Sequence, residues 1–490
     1  MTRWLHSRIG IGLGFGMLAG GAEVALRASP QQGMAMQELL QWWLIGAGTS
    51  AALALLVGAV FRVSARPIGA VFAALLCVHG VMLYRYAVVV NRFLRDPAVW
   101  GGALAIGLVS AGLGLALQRV LVDHTGRLVR WSLGLGVLSL PLTLWLEQPT
   151  QLEAEAEGPN VILITVDTLR PDRLGVYGAD NRTPVIDRLA KSGVRFQTAV
   201  TPAPLTQPAH LAILTGRPPH VTGVVSNGTD IGERPALLQH ALKKRGYRTG
   251  GFVSGFPLHG RFGWGQGMDV YDDDFSRTPG LHRLNMARAW DLVAQTAHTL
   301  RERRGDAVVG RAINWLQRVG DDRFFLWIHL FDPHAPYEAP DHPFDPPTTG
   351  EPLELPSYWP AEHRSITSEA WLTEAYDAEI RYTDAQLGRL MAVLKHNGQL
   401  ANALVVLTAD HGESLTEHGL LFDHGDDLMA PSLRVPLIFN WAGQIAPAEQ
   451  SCLASNMDVT PTVLGLLGIG DSAERHGLDR SPTIRGGDCE

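Results

Sequence analysis

Thr206 lies between prolines in the stretch AVTPAPLTQPAHLAILTGRPPH, with His210 one helical turn further on. A threonine in a proline-rich loop ordinarily packs in a turn, and its hydroxyl becomes a nucleophile only where a base or a metal takes the proton. Elsewhere in the chain, Asp167, Asp410 and His411 offer two carboxylates and an imidazole. That hard, mixed O/N donor set suits Zn²⁺ or Mn²⁺, with Ca²⁺ or Mg²⁺ less natural partners for histidine. Beside such an ion a threonine oxygen loses its proton far more readily. Each residue alone has a plainer reading, since aspartate caps helices and His-Gly turns loops. The case for chemistry rests on Asp167, His334, Asp410 and His411 falling together at the ends of apolar runs.

Those runs are the elements that must position them. NVILITVDT (160–168), TGGFVS (249–254), FFLWIHLFDPH (324–334) and NALVVLTADHGES (402–414) are β-rich and apolar, each followed by polar residues. Amphipathic stretches separate them, including TPVIDRLAKSG (183–193), PALLQHALKKRG (235–246) and the long TEAYDAEIRYTDAQLGRLMAVLKHNG (373–398). Buried strands alternating with helices predict an α/β fold with a mostly parallel central sheet covered by helices on both faces. In such sheets the site occupies the crevice beyond the carboxyl ends of the strands. Two proline- and aspartate-rich stretches, DDDFSRTPGLHRLNMARAW and EAPDHPFDPPTTGEPLELPSYWP, read as long loops over that crevice.

The first 148 residues are built differently. Charged residues make up 18% of the whole chain, below the roughly 25% of ordinary soluble proteins, and the deficit is concentrated before Pro149. About five apolar runs of about 16 to 23 residues have no polar face at helical period, which predicts a bundle of membrane spans rather than buried soluble helices. Arginines near the runs set the orientation. Arg3, Arg8, Arg62, Arg66, Arg119, Arg127 and Arg130 outnumber Arg27, Arg85, Arg92 and Arg95, which places the N-terminus in the cytoplasm. An odd number of spans then puts the rest of the chain in the periplasm or outside the cell. Glu23 and His79 fall within the runs, where snorkelling or a bond between helices accounts for them. The expected organisation is a transmembrane domain over 1–148, a polar linker over 149–158 and a catalytic domain over 159–490. Cys77 belongs to the third run, while Cys452 and Cys489 lie in the exported portion; there a tail-clamping bridge and two free thiols are both open. The net charge of −7 and the lack of a basic stripe with interleaved aromatics exclude nucleic acid as a partner. The sequence does not fix the oligomeric state.

PNVILITVDTLRPDRLGVYG, TQPAHLAILTGRPPHVTGV, FLWIHLFDPHAPYEAP, LTADHGESLTEHG and FDHGDDLMAPSLRVPLIF, in that order, resemble sulfatases of the alkaline phosphatase superfamily from Pro159 to about Gly470. The resemblance implies an alkaline-phosphatase-like domain and a metal-dependent hydrolase or transferase that acts on a phosphate or sulfate ester through a covalent intermediate. The departures are specific. Where sulfatases carry C-x-P-S-R or S-x-P-S-R, this chain reads TQPAH, with Thr206 in the nucleophile position and His210 in place of the arginine. Threonine cannot become formylglycine. The family's paired Asp-Asp is Asp167-Thr168, its G-K-W-H segment corresponds to FVSGF around Ser254, and the lysine near its last motif is replaced by His424. A threonine nucleophile with about five spans and an outer catalytic domain is similar to membrane phosphoethanolamine and phosphoglycerol transferases, although their first strand ends in a glutamate ligand.

These departures imply phosphoester chemistry ahead of sulfate ester hydrolysis. Asp167, Asp410, His411 and the Thr206 oxygen are the expected ligands of the divalent metal. His334 and His424 are expected on the equatorial oxygens or the leaving group, and His210 either orients the Thr206 loop or caps the following helix. Glu413 and His418 are expected as supporting loop residues. Membrane lipids are the expected neighbours, and a lipid head group or envelope glycan bearing a phosphoester or sulfate ester the expected substrate. A sulfatase without formylglycine, an inactive binding module and a transporter are the alternatives.

Overall fold

The computed structural model describes residues 158–275 and 302–488, apart from Arg234, Tyr358 and Asp471. All of them fall in one of the two compact units into which the chain divides, spanning 152–275 and 301–490. The expected membrane spans, the linker up to residue 157, Cys77, Cys489 and most of the first long loop lie outside the described residues. Among the described residues no helix is long and apolar enough to cross a membrane.

The strands are β1 (Asn160–Val166), β2 (Val194–Val200), β3 (Arg248–Phe252), β4 (Val270–Asp272), β5 (Phe324–Leu330), β6 (Ala403–Ala409), β7 (Arg434–Val435), β8 (Leu437–Trp441) and β9 (Ala448–Ser455). They form one sheet in the order β4-β3-β5-β1-β6-β8-β2-β7, with β9 paired to β2. From β4 to β6 every pairing is parallel. β8 then runs antiparallel to both β6 and β2, and β9 runs parallel to β2. The mixed end was not expected from the sequence, because β2 and β9 carry polar residues through the run and do not read as continuous apolar strands.

NVILITV, FFLWIHL and ALVVLTA are buried at every position, which requires cover on both faces of the sheet. One set of helices comprises α1 (Pro184–Lys191), α3 (Gly305–Val319) and α4 (Glu369–His396), which pack on one another. A second comprises α2 (Thr206–Thr215) and α5 (Val459–Leu466). α4 starts where the Ser368 hydroxyl accepts a hydrogen bond from the Trp371 amide, which satisfies one of the unpaired donors of the first turn. α2 is buried over all ten residues and stops at Gly216, whose φ of 65° is left-handed. The described residues of the second proline-rich loop, 338–360, form no helix or strand. Cys452 is disulfide-bonded, and the residue that closes the bridge lies outside the described residues.

Candidate active site

Asp167 follows the last residue of β1 and Asp410 the last residue of β6, and these strands are hydrogen-bonded neighbours in register from Asn160↔Ala403 to Val166↔Ala409. Sheet pairing therefore brings together two carboxylates that are 243 residues apart in sequence. Both are fully buried, as is His411. Asp410 Oδ1 is held by the Thr168 amide at 3.3 Å and the His411 amide at 2.8 Å. The Asn456 side-chain amide donates to the carbonyls of Ala409 and Asp410, at 3.3 and 3.1 Å, and pins the strand end. Gly412 is required next, since a Cβ there would come within 1.9 Å of the Pro431 carbonyl oxygen. On the other strand, Thr168 has a φ of 52°, an unfavourable region for a β-branched residue, and the Tyr376 hydroxyl from α4 donates to its carbonyl at 2.7 Å.

The remaining donor atoms converge without partners. Asp167 Oδ1 and Oδ2, Asp410 Oδ2 and His411 Nε2 are buried and complete no hydrogen bond. His411 Nε2 lies 3.7 Å from Asp167 Oδ1 and 3.6 Å from Asp410 Oδ2. Its Nδ1 faces the Gly412 carbonyl at 2.8 Å and donates there, which turns Nε2 toward the carboxylates. Burial lowers the ring's pKa, but the Asp410 and Asp167 charges outweigh it and raise it. Burial raises the pKa of both aspartates, and for Asp410 the Asp167 charge adds to the effect. Leaving one charged group buried and unpaired costs at least about 1–3 kcal/mol. Here several such atoms meet at one point, and a divalent cation would relieve one oxygen of each carboxylate together with His411 Nε2, so the donor set fits a metal of the kind expected.

Thr206 is the first residue of α2 and is almost fully buried. Its hydroxyl acts on the Asp167 carboxyl, opposing the upward push of burial. The Asn227 side chain accepts from the Gln207 amide at 2.9 Å and caps the start of the helix in place of Leu205, which cannot. His210 is fully buried and spends both ring nitrogens on the fold. The Trp327 indole N–H donates to Thr165 Oγ1 at 3.1 Å, Thr165 faces His210 Nε2 at 3.0 Å, and His210 Nδ1 faces the Thr206 carbonyl at 2.8 Å. Read in one direction, this chain puts the proton on Nδ1 and ties the nucleophile loop to the central strand. Neither nitrogen is left for a substrate.

His334 and His424 are less enclosed. Each uses Nδ1 within the protein, His334 on the Ala335 carbonyl at 2.6 Å and His424 on Glu413 Oε1 at 3.1 Å. Nε2 is therefore the nitrogen each can offer to a ligand. Their rings meet edge to face at 4.8 Å, and His424 also lies 4.6 Å from the His411 ring. Glu413 is buried between His424 and the Tyr337 hydroxyl, which donates to its other oxygen. Burial pushes the Glu413 carboxyl up to about 7, and His334 opposes the shift. Tyr337 is held by Trp359, which the proline-rich loop returns at an edge-to-face distance of 5.5 Å. His418, by contrast, is exposed with φ 58° and takes no part in the cluster.

Sequence reasoning missed Tyr337, Asn456, Thr165 and His329. His329 carried a signal, since it stands at the inner position of FFLWIHLFDPH on a strand predicted to be buried. Asn456 carried none, because only the mixed end of the sheet brings it to Asp410.

The sulfatase family model matches residues 159–469. A sulfatase of Formosa agariphila is 28% identical, over 69% of this chain and 75% of its own length. The choline-sulfatase of Rhizobium meliloti is 29% identical, over 64% of this chain and 68% of its own. Among solved structures, the phosphonate monoester hydrolase of Agrobacterium radiobacter superposes with a TM-score of 0.52 at 20% identity, covering 67% of this chain and 78% of that one, which supports the fold. The chain belongs to the sulfatase family, and is thereby an ester hydrolase of the alkaline phosphatase superfamily.

Proposed function

We propose that the protein is a membrane-anchored, metal-dependent enzyme that cleaves or transfers a phosphoester group through a phospho-Thr206 intermediate. One observation carries this reading. The residue at the start of α2, beside the Asp167 carboxyl, is a threonine, which has no route to formylglycine and can act only through its own hydroxyl.

Asp167, Asp410 and His411, with the Thr206 oxygen, would hold the ion, with Zn²⁺ or Mn²⁺ preferred for the imidazole. A divalent cation there supplies Lewis acidity, lowering the pKa of the Thr206 hydroxyl and offsetting charge on the transferred group. Thr206 Oγ attacks phosphorus in line, the Oγ–P bond forms, and the bond to the leaving oxygen breaks. The neutral Nε2 of His424 or His334 takes the proton that Thr206 loses and passes it to the leaving oxygen. Water or an acceptor hydroxyl then attacks the phosphothreonine and loses its proton to the same imidazole, which hands it to the Thr206 oxygen as the Oγ–P bond breaks. His210 holds the Thr206 carbonyl and Glu413 holds His424 throughout.

The apolar first 148 residues support a membrane anchor with the catalytic unit outside the cytoplasm, and the disulfide at Cys452 is in keeping with export. On this reading lipid head groups and envelope glycans are the substrates within reach. The relation to choline-sulfatase favours a second reading, sulfate ester hydrolysis by an unmodified threonine. Detergent-solubilised full-length protein, with and without chelator, separates the two on aryl phosphate monoester, aryl phosphate diester and aryl sulfate. Fastest turnover of aryl sulfate, or full activity in Thr206→Ala, would overturn the phosphoester reading.

A further inference from the structure

His329 lies directly behind the candidate metal ligands and has no part in the steps above. It occupies β5, beside β1 in the register Thr165↔His329, and is fully buried. Its Nδ1 accepts a hydrogen bond from the Ser254 amide at 3.4 Å, so in the neutral ring the proton is on Nε2. That nitrogen lies 3.3 Å from Asp167 Oδ2, and neither atom completes a hydrogen bond. The surroundings fix the ring in this orientation. Ser254 Oγ donates to the His329 carbonyl at 2.6 Å and accepts from the Phe331 amide at 3.2 Å, clamping the strand at the histidine. The His210 ring meets it edge to face at 4.9 Å, and a side chain added at Gly255 would already stand 3.4 Å from its Cε1.

The two oxygens of Asp167 thus face different neighbours, Oδ1 toward His411 Nε2 and Oδ2 toward His329. A cation can satisfy one of them, and the other needs a donor in an interior without water. We propose that His329 is a positioning residue for the metal centre, its Nε2–H being the donor available to Asp167 Oδ2 once Oδ1 is given to the cation beside His411. A proton on Nε2 also excludes His329 from the ligand set itself. Neither the types nor the spacing of the motif residues assigns it this task, which follows from the Ser254 amide fixing the tautomer.

The inference rests on the metal reading of the site and is tested by metal binding rather than turnover. Mn²⁺ is titrated calorimetrically into metal-stripped, detergent-solubilised full-length protein, and the visible spectrum of the Co²⁺-loaded form is recorded. His329→Leu is expected to weaken Mn²⁺ binding by about tenfold to a hundredfold, the usual cost of losing a donor behind a metal ligand. His329→Gln, which returns an N–H near the Nε2 position, is expected to bind within about threefold of the parent and to keep its Co²⁺ spectrum. Equal affinity in all three proteins, or His329→Gln as weak as His329→Leu, overturns the proposal. A changed Co²⁺ spectrum in His329→Gln also overturns it, by making His329 a ligand. Should His329→Leu fail to fold, the affinity and spectrum of His329→Gln decide by the same criteria. A parent protein that binds no Mn²⁺ overturns the metal reading as well, whereas a Thr206→Ala variant that keeps its activity defeats only the phosphothreonine step.

Discussion

His210 and His329, in the buried part of the site, direct both ring nitrogens at protein groups: the Thr206 carbonyl and Thr165 for one, the Ser254 amide and Asp167 for the other. His334 and His424, in the more open part, each engage Nδ1 alone. One residue type therefore serves two purposes, and the hydrogen-bond inventory of each ring separates them. Enclosed imidazoles fix where the nucleophile and the carboxylates stand, while the open pair keeps a nitrogen for the reacting group. Burial holds the His210 ring neutral, pushing it down to about 3, and does the same for His329 at about 4. Burial also lowers His334 and, with His411 adding, drives His424 well below the ordinary value, so the open pair differs not in charge but in having a free Nε2 to accept a proton.

The harshest test of this division is Thr206→Ala, expected to lower kcat by at least about a thousandfold while Mn²⁺ affinity falls far less than in Asp410→Asn. Radiolabel from a phosphoester substrate should be trapped on the parent protein and not on the variant. His424→Ala is expected to lose about 10²–10⁴-fold in kcat, most with poor leaving groups, and to leave the Mn²⁺ affinity within about threefold. A loss of metal affinity matching that of Asp410→Asn would erase the distinction between the two parts. Thr165→Val breaks the chain from Trp327 to the Thr206 carbonyl. It should lower stability by about 1–2 kcal/mol and slow kcat without changing metal affinity, measured by denaturant melts and calorimetry. Chelation should lower Tm by several degrees, because an ion at 100 times its Kd contributes about 2.7 kcal/mol.

The smallest effect lies away from the site. Burial, with Asp332 adding, raises the Glu379 carboxyl to about 8, above its unfolded value. A carboxyl raised on folding stabilises the fold while it is protonated. Its contribution is complete below the unfolded pKa and is lost as pH rises through about 8. The Tm should therefore fall between pH 5 and pH 9, and Glu379→Gln should flatten that slope without touching either set of histidines.

The parallel half of the sheet was legible because β1, β5 and β6 are apolar at nearly every position and end in Asp167, Asp410 and the His334 loop. That is a pattern a strand covered on both faces must have. The mixed half was not, since β2 and β9 are partly exposed and their polar residues hide the strand period. The same limit applied to the site. Residues at strand ends could be read from their position after an apolar run, and the resemblance supplied Thr206 and His424. What holds them could not be read, because Tyr376 to Thr168, Tyr337 to Glu413 and Ser254 to His329 are contacts across long sequence separations that leave no local signature. His210 shows the remaining difficulty. Its position beside the nucleophile left loop orientation and helix capping both open, and the partners of its two nitrogens tie it to the Thr206 carbonyl and Thr165.

The Asn456 amide that grips the Ala409 and Asp410 carbonyls comes from a segment beyond β9, after every residue proposed to touch the substrate. A gene interrupted just upstream of that codon would still encode each motif from Asp167 to His424 intact. Its product would pass a motif search and yet lack the anchor that sets the second carboxylate, so the completeness of such a protein has to be judged by its tail.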